Sequence, residues 1–425
     1  MPRILFLFSF IIFQITAIYA QSDKSFPDDR PSFLKSITDL LNETKRDDAK
    51  QTAADLEKTW PAISSARQGD IIEIAQAMRA RKMLTSPYFQ KYFNSILAFQ
   101  ASKQDDYLWD QWKSITLSVI SNLRQGNNKK YEDWLDFSLA LFTEHALYIS
   151  QGKTWKFDAD DFDLLLENNI PVLKFSEGTI LGITEGDSIR VEQTAGKYYP
   201  LDNKWSGTRG KSDWVRVGFG PDDAYVTFGA YTIDCSKTEY SVDSVKLYYG
   251  AYKKANIAGK FSDKMLSHTT PEHANYPRFV SYKKDLSFDD VAPHVKVFGG
   301  LQLNGAKMNL DGTSDHKAMI KIYRFDGLVG IIAKSRHFDI QKDKEINAGQ
   351  AEIKLVLGKD SIVHGGITMR YNIDKRELFL FRGKNGIQKS AYNDYYHGFE
   401  ENPELIYWDM NEPELIMRNI AVGGK

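Results

Sequence analysis

A chain of 425 residues exceeds one ordinary hydrophobic core and predicts two or three domains. With 55 basic against 56 acidic side chains, its formal net charge of −1 excludes a global field that would gather nucleic acid or anionic lipid. The single cysteine, Cys235, excludes an intramolecular disulfide, so packing must supply the stability.

The first 20 residues carry the pattern of an export signal. Arg3 supplies the positive n-region, residues 4–15 form an apolar run interrupted by Ser9 and Gln14, and Ala20 is the small residue at the cleavage point. The run is too short for a membrane span, which needs about 20 apolar residues. No cysteine lies beside the cleavage point to carry a lipid anchor. The expectation is a released chain beginning at Gln21, located in the periplasm or at the cell surface, with no stable membrane span after cleavage.

From residue 21 to about 151 the apolar pattern has helical period. Phe33, Leu34, Ile37, Leu40 and Leu41 share one face, and Ile71, Ile72, Ile74, Ala75 and Met78 follow Asp70, read as an N-cap. Tyr88, Phe89, Tyr92, Phe93, Ile96 and Leu97 come after the Thr85-Ser86-Pro87 breaker. Leu108, Trp109, Trp112, Ile115, Val119 and Ile120 come after Asp105-Asp106, and a further segment covers 134–147. Short connections favour an all-helical bundle or stacked helical hairpins. The aromatic stripes lie at spacings that face a core.

Beyond Gly152 the texture changes to short β-branched and aromatic runs bounded by Gly, Asn and Asp. Predicted strands cover 179–184, 188–193, 224–228, 244–249, 295–298, 319–325, 352–357, 367–371 and 377–381. Turns are expected at Gly186-Asp187, Asn304-Gly305, Asp311-Gly312, Asp326-Gly327 and Lys384-Asn385-Gly386. Leu378 and Leu380 point one way and Phe379 and Phe381 the other, which predicts burial on both faces. Asp187-Ser188, Asp243-Ser244 and Asp360-Ser361 each precede an apolar stretch and read as strand-entry turns. The expected class is therefore α+β: a signal at 1–20, a helical domain at 21–151, and β-rich domains at 152–265 and 266–425, built as a sandwich or a β-solenoid.

Candidate chemistry is sparse. Gly152-Lys153-Thr154 has Leu147 where a phosphate loop needs glycine. The run Asp158, Asp160, Asp161, Asp163 has Phe162 and Asp163 where a calcium loop needs an oxygen ligand and a glycine. His268 and His273 sit in a loop with no fixed ligand geometry, and Cys235 lies in a strand-like run that suits inert packing. Lys253-Lys254 and Lys283-Lys284 are too short for a nucleic-acid footprint. No cofactor motif is present, and no metal site is expected.

The segment Tyr407-Trp408-Asp409-Met410-Asn411-Glu412-Pro413 resembles the nucleophile motif of the family 31 glycoside hydrolases. That resemblance implies Asp409 as nucleophile, with Glu412 beside it, in a carbohydrate-active enzyme. It spans some six residues. The preceding sequence lacks the alternating strands and helices of a (β/α)₈ barrel, and a turn between two strands is the plainer reading.

From about Trp205 onward the chain resembles a family of large, exported, uncharacterised β-rich proteins of Bacteroidetes. The resemblance is carried by Trp205-Ser206-Gly207, Trp214, Val217-Gly218, residues 244–248, 270–279 and 299–305, Lys359-Asp360-Ser361-Ile362, residues 392–397 and Tyr407-Trp408. It implies a non-enzymatic envelope or surface protein with a binding or scaffolding role, and a chain near the N-terminal part of a longer protein. An envelope protein or a polysaccharide is the expected partner. A saccharide would stack on aromatics such as Trp205, Trp214, Tyr248 and Trp408, or on Trp155 and Tyr249, whose faces are apolar and edges polar.

Overall fold

Helix ends are set by local chemistry, and the computed structural model, which describes residues 25–250, 254–267, 269–341 and 344–419, shows where. The expected export signal at 1–20, Lys253 and His268 lie outside the described residues. Asp29 accepts the backbone N–H of Ser32 at 3.0 Å and starts α1 (Arg30–Asn42), with proline in its first turn. Five further helices follow: α2 (Asp47–Thr59), α3 (Ser65–Ala80), α4 (Gln90–Ser102), α5 (Asp106–Ser121) and α6 (Lys129–Glu144). Asp105 caps α5 through the N–H of Leu108. The cap of α3 is Ser64, not Asp70. Asp70 lies within the helix, where it accepts Trp109 Nε1 at 2.9 Å and pairs with Lys113 at 2.5 Å.

Chain contacts divide the protein into two units. The first gathers Met1–Ile183, Glu192–Thr208 and Ile233–Thr238; the second gathers Thr184–Val191, Arg209–Thr232 and Glu239–Lys425. The aromatic stripes form the core of the first. Tyr92, Phe93, Trp109, Trp112 and Trp134 are buried, each worth roughly 1.5–3 kcal/mol of transfer free energy. Their polar atoms are satisfied inside: Tyr92 Oη donates to the Ile71 carbonyl, Trp112 Nε1 to Ser138 Oγ, and Trp134 Nε1 to Thr116 Oγ1.

His145 adopts φ 52° and ends α6. The helical segment read over 134–147 therefore stops at Glu144, and Ala146 already opens β1 (Ala146–Ser150). β1 pairs antiparallel with β2 (Lys153–Asp158) across a turn at Gln151-Gly152, where Gly152 takes φ 85°. β3 (Asp163–Glu167) pairs with β4 (Ile170–Thr184) across Asn168-Asn169, both at positive φ, the backbone a two-residue hairpin requires. β5 (Asp187–Tyr199) and β6 (Lys204–Asp213) each supply residues to both units.

The second unit is antiparallel throughout its described ladders. It contains β7 (Ala224–Phe228), β9 (Glu239–Tyr249) and β10 (Lys254–Lys264), and β8 (Tyr231–Asp234) ends in the first unit. Long strands then divide their partners. β13 (Val295–Asn304) pairs on one edge with β12 (Leu286–Ala292) through 295–299 and with β11 (Arg278–Ser281) through 302–304. On its other edge β15 (Ala318–Tyr323) covers 295–298 and β14 (Lys307–Asp311) covers 300–304. β18 (Glu345–Leu357) is likewise shared between β16 (Val329–Ser335) and β17 (His337–Gln341), and pairs on its other edge with β19 (Asp360–Asn372). β19 is shared between β20 (Glu377–Phe381) and β21 (Tyr392–Asp394). β22 (Phe399–Glu401), β23 (Leu405–Asp409) and β24 (Ile416–Arg418) complete the unit.

Two of the shared strands, β18 and β19, change their inward face where the partner changes. In β18 the buried positions are Ile346 and Ala348, then Ala351, Ile353 and Leu355, so parity flips at Gly349-Gln350, where the register slips. Gly365-Gly366 in β19 is the same kind of switch, between Ile362 and His364 before it and Ile367, Met369 and Tyr371 after it. An extra residue in a strand bends it and reverses which side chains face inward.

Two strand expectations need correcting. β20 buries Leu378 and Leu380 completely, while Phe379 and Phe381 are only partly covered, resting on one another with Phe379 against Tyr407. Asp187 and Asp360 do open strands, each accepting the next residue's N–H through Oδ1. Asp243-Ser244 instead lies inside β9 at a register slip, with Ser244 at φ 61° and its N–H given to Tyr282 Oη at 2.8 Å.

Candidate functional site

Burial decides which predicted residues can meet a ligand. Trp205, Trp214 and Trp408 are fully buried, as is Trp155, and Tyr249 is nearly so; none has a ring face to offer solvent. Trp205 stacks on Phe175, Trp214 meets Phe261 edge-on, and Trp155 Nε1 donates to the Lys237 carbonyl. Tyr248 stacks on Tyr225 at 5.0 Å and is half-buried.

Asp409 ends β23, and Met410-Asn411-Glu412-Pro413 forms the turn toward β24, which pairs back on β23. Asp409 Oδ1 accepts the Asn411 N–H at 3.0 Å, and Trp408 Nε1 donates to the Glu412 carbonyl at 3.1 Å. Arg376 braces the turn from outside, donating to Asn411 Oδ1 and to the Tyr323 carbonyl. Asp409 Oδ1, Asn411 Oδ1 and the Glu412 carbonyl are thus engaged in building a turn.

The other sequence candidates fall in several settings. Gly152 lies in the β1–β2 turn, and Lys153-Thr154 open β2. Cys235 is buried, and burial pushes its thiol far above its ordinary range, which leaves no thiolate. His273 is exposed, with Nδ1 3.0 Å from Thr270 Oγ1. Asp160, Asp161 and Asp163 line a cleft of about 470 Å³ with Asp105 and Lys174.

Two larger clefts contain charged groups engaged in ion pairs. One of about 890 Å³ runs along α6 and β1, and its carboxylates Asp133, Asp136 and Glu144 are taken by Lys129, Lys91 and Lys156 at 2.9, 2.6 and 2.9 Å. One of about 490 Å³ in the second unit includes His337, whose ring lies between Asp311 and Asn309 at 2.7 and 2.9 Å.

A different surface has the character of a binding site. β21 and β22 form a hairpin whose tip, Tyr395-Tyr396-His397-Gly398, leads into Phe399. Tyr395, Tyr396 and Phe399 are 71, 68 and 61% exposed. Gly398 takes φ 71°, and its N–H donates to the Asp394 carbonyl at 3.0 Å, closing the tip. Asp394 Oδ1 accepts the N–H groups of Tyr396 and His397, both at 3.0 Å. The His397 ring stacks on Phe399 at 5.9 Å and meets Tyr396 edge-on at 4.9 Å. Its Nδ1 lies 3.0 Å from Asp394 Oδ2 and 3.6 Å from Asp360 Oδ2. The hydrogen bond to Asp394 raises the His397 pKa, and the bonds from His397 hold Asp394 below the usual carboxylate range.

Sequence reasoning passed over this tip as a site, though it is legible as three large aromatics crowded beside a glycine, with no strand or helix period to bury them. Asp360 joins it only because Ile362 on β19 pairs with Asp394. No protein-family model matches the chain, and a search of curated proteins found no match.

Proposed function

We propose that this protein is an exported, non-enzymatic envelope or surface protein of a bacterium, working in the periplasm or at the cell surface, and that it binds polysaccharide. The observation that carries the binding reading is the exposed aromatic tip of Tyr395, Tyr396 and Phe399. Soluble proteins rarely hold large rings together in water unless the patch meets a partner. Sugar rings present C–H faces that stack on aromatic faces, while their hydroxyls seek acceptors such as Asp360 and Asp394 beside the tip. The resemblance from Trp205 onward to large exported Bacteroidetes proteins supports the same setting. The parity switches in β18 and β19 favour a two-layer sandwich over a solenoid for the β-rich part.

The test is affinity electrophoresis of the full chain in gels containing individual envelope polysaccharides. With each stacked ring worth about 0.5–1.5 kcal/mol, retardation by at least one polysaccharide should weaken tenfold or more in the triple variant Tyr395→Ala, Tyr396→Ala, Phe399→Ala. No retardation by any of them, or equal retardation of the variant, would overturn the reading.

A further inference from the structure

Among the described residues, one group brings three metal-capable side chains to a common centre: Asp360, Asp394 and His397, whose ligand atoms all lie within 4.8 Å of one another. We propose that these residues form a binding site for a divalent transition-metal ion of the zinc type, with Asp360 Oδ2, Asp394 Oδ2 and His397 Nδ1 as ligands. The site does not rest on polysaccharide binding and would stand if that reading failed.

The donor set is the first argument. One imidazole nitrogen with two carboxylate oxygens suits zinc and its neighbours, whereas calcium prefers six or more oxygens. Three protein ligands leave a fourth position for water or an incoming oxygen, the pattern of an open zinc site.

Geometry is the second. Zinc bonds of about 2.0–2.1 Å in a tetrahedron set neighbouring donors about 3.3 Å apart. The two distances from His397 Nδ1, 3.0 and 3.6 Å, bracket that value. Small rotations of the carboxylates would complete the figure.

The supporting hydrogen bonds are the third. Each carboxylate spends Oδ1 on backbone and turns Oδ2 to the centre: Asp360 Oδ1 accepts the Ser361 N–H at 2.6 Å, and Asp394 Oδ1 accepts the N–H groups of Tyr396 and His397. The Tyr395 N–H donates to the Ser361 carbonyl at 3.2 Å, tying the tip to the start of β19. Tyr396 meets the His397 ring edge-on and Phe399 stacks against it. Orientation of ligands by such contacts is what separates a built metal site from a chance meeting of charges. The two carboxylates are mostly covered, at 18 and 13% side-chain exposure, while the imidazole is half-exposed and leaves the ion a way in.

His337 provides an internal contrast, since its ring faces the single carboxylate Asp311, with Asn309 on the other nitrogen. It therefore serves as the control. Full-length protein treated with chelator and then titrated with Zn²⁺ alone should take up one equivalent, read by calorimetry. The affinity should fall at least tenfold in His397→Gln and in Asp360→Asn, and should be unchanged in His337→Gln. In the unaltered protein the His397 imidazole resonances should move with that first equivalent, a readout independent of whether any variant folds. Uptake without a change at His397, or uptake equal in wild type and both ligand variants, would overturn the site, as would no stoichiometric uptake. The cluster would then be a histidine hydrogen-bonded to Asp394 beside a second carboxylate.

Discussion

The buried histidine at position 364 shows how one side chain is fixed by its surroundings. Its Nδ1 accepts the Gly366 N–H at 3.0 Å and its Nε2 faces the Ser390 carbonyl at 3.0 Å, which makes it a neutral imidazole with the proton on Nε2. Burial, the largest influence, lowers its pKa from 6.5. The unfolded chain then binds a proton that the folded chain refuses, so this contribution to stability is complete above 6.5 and is lost as pH falls. Unfolding midpoints in urea should therefore decline from pH 7.5 to 5.5 in the wild type and decline less in His364→Gln; parallel slopes would contradict this account. Little of it could be read from sequence, because His364 and Ser390 are joined by strand pairing alone. The same limit applies to tryptophan. Trp205, Trp214 and Trp408 look like stacking platforms by type, yet burial makes them core, and exposure at Tyr395, Tyr396 and Phe399 singles out less distinctive residues.

Elements in the second unit are held by a charge cluster that spans three of them. Arg216, on the turn after β6, pairs with Asp187 at the start of β5 at 2.6 Å and with Asp263 in β10, and also donates to the Lys264 carbonyl at 3.0 Å. Asp187 additionally accepts the Leu266 N–H at 2.5 Å. Burial pushes the Asp263 carboxyl up to about 7 against the pull of Arg216. Because that value lies above the ordinary 3.8, the stability tied to this carboxyl declines as pH rises between the two. Removing the guanidinium leaves two covered carboxylates without their cation, and Arg216→Ala should cost about 3–5 kcal/mol. The deficit should be largest at pH 8 and shrink toward pH 5, where the Asp263 carboxyl can take up a proton. Urea denaturation at both values checks this, and a deficit below about 1 kcal/mol at pH 8 would refute it.

Turns were the most legible elements. Gly186, Gly305, Gly327 and Gly386 all take the positive φ expected where the sequence places turns. The helix α2 was hardest to see, since its buried face is mostly Ala49, Thr52 and Ala53 with Leu56. Small residues give a weak periodic signal. Bulges were invisible for another reason: a slip at Gly349-Gln350 reverses the alternation from which strands are recognised.

For the whole molecule, the proposed export can be tested directly. Expressed from its full reading frame in a bacterium, the protein should appear outside the cytoplasm with Gln21 as its first residue, read by N-terminal sequencing. A cytoplasmic product that retains Arg3 would refute export. Among the described residues no helix is long and apolar enough to cross a membrane.

The sequence alone determined the order of classes, helices and then antiparallel strands, because the 3.6- and 2-residue periods are local properties of the chain. It also determined the aromatic core of the helices and the turn at Asp409. Tertiary structure alone decided that segments between Thr184 and Thr238 alternate between two units, that the tryptophans are covered, and that Asp360 meets Asp394 and His397. Each of those depends on which distant strands pair, and pairing is a choice among non-local partners that residue type and spacing leave open.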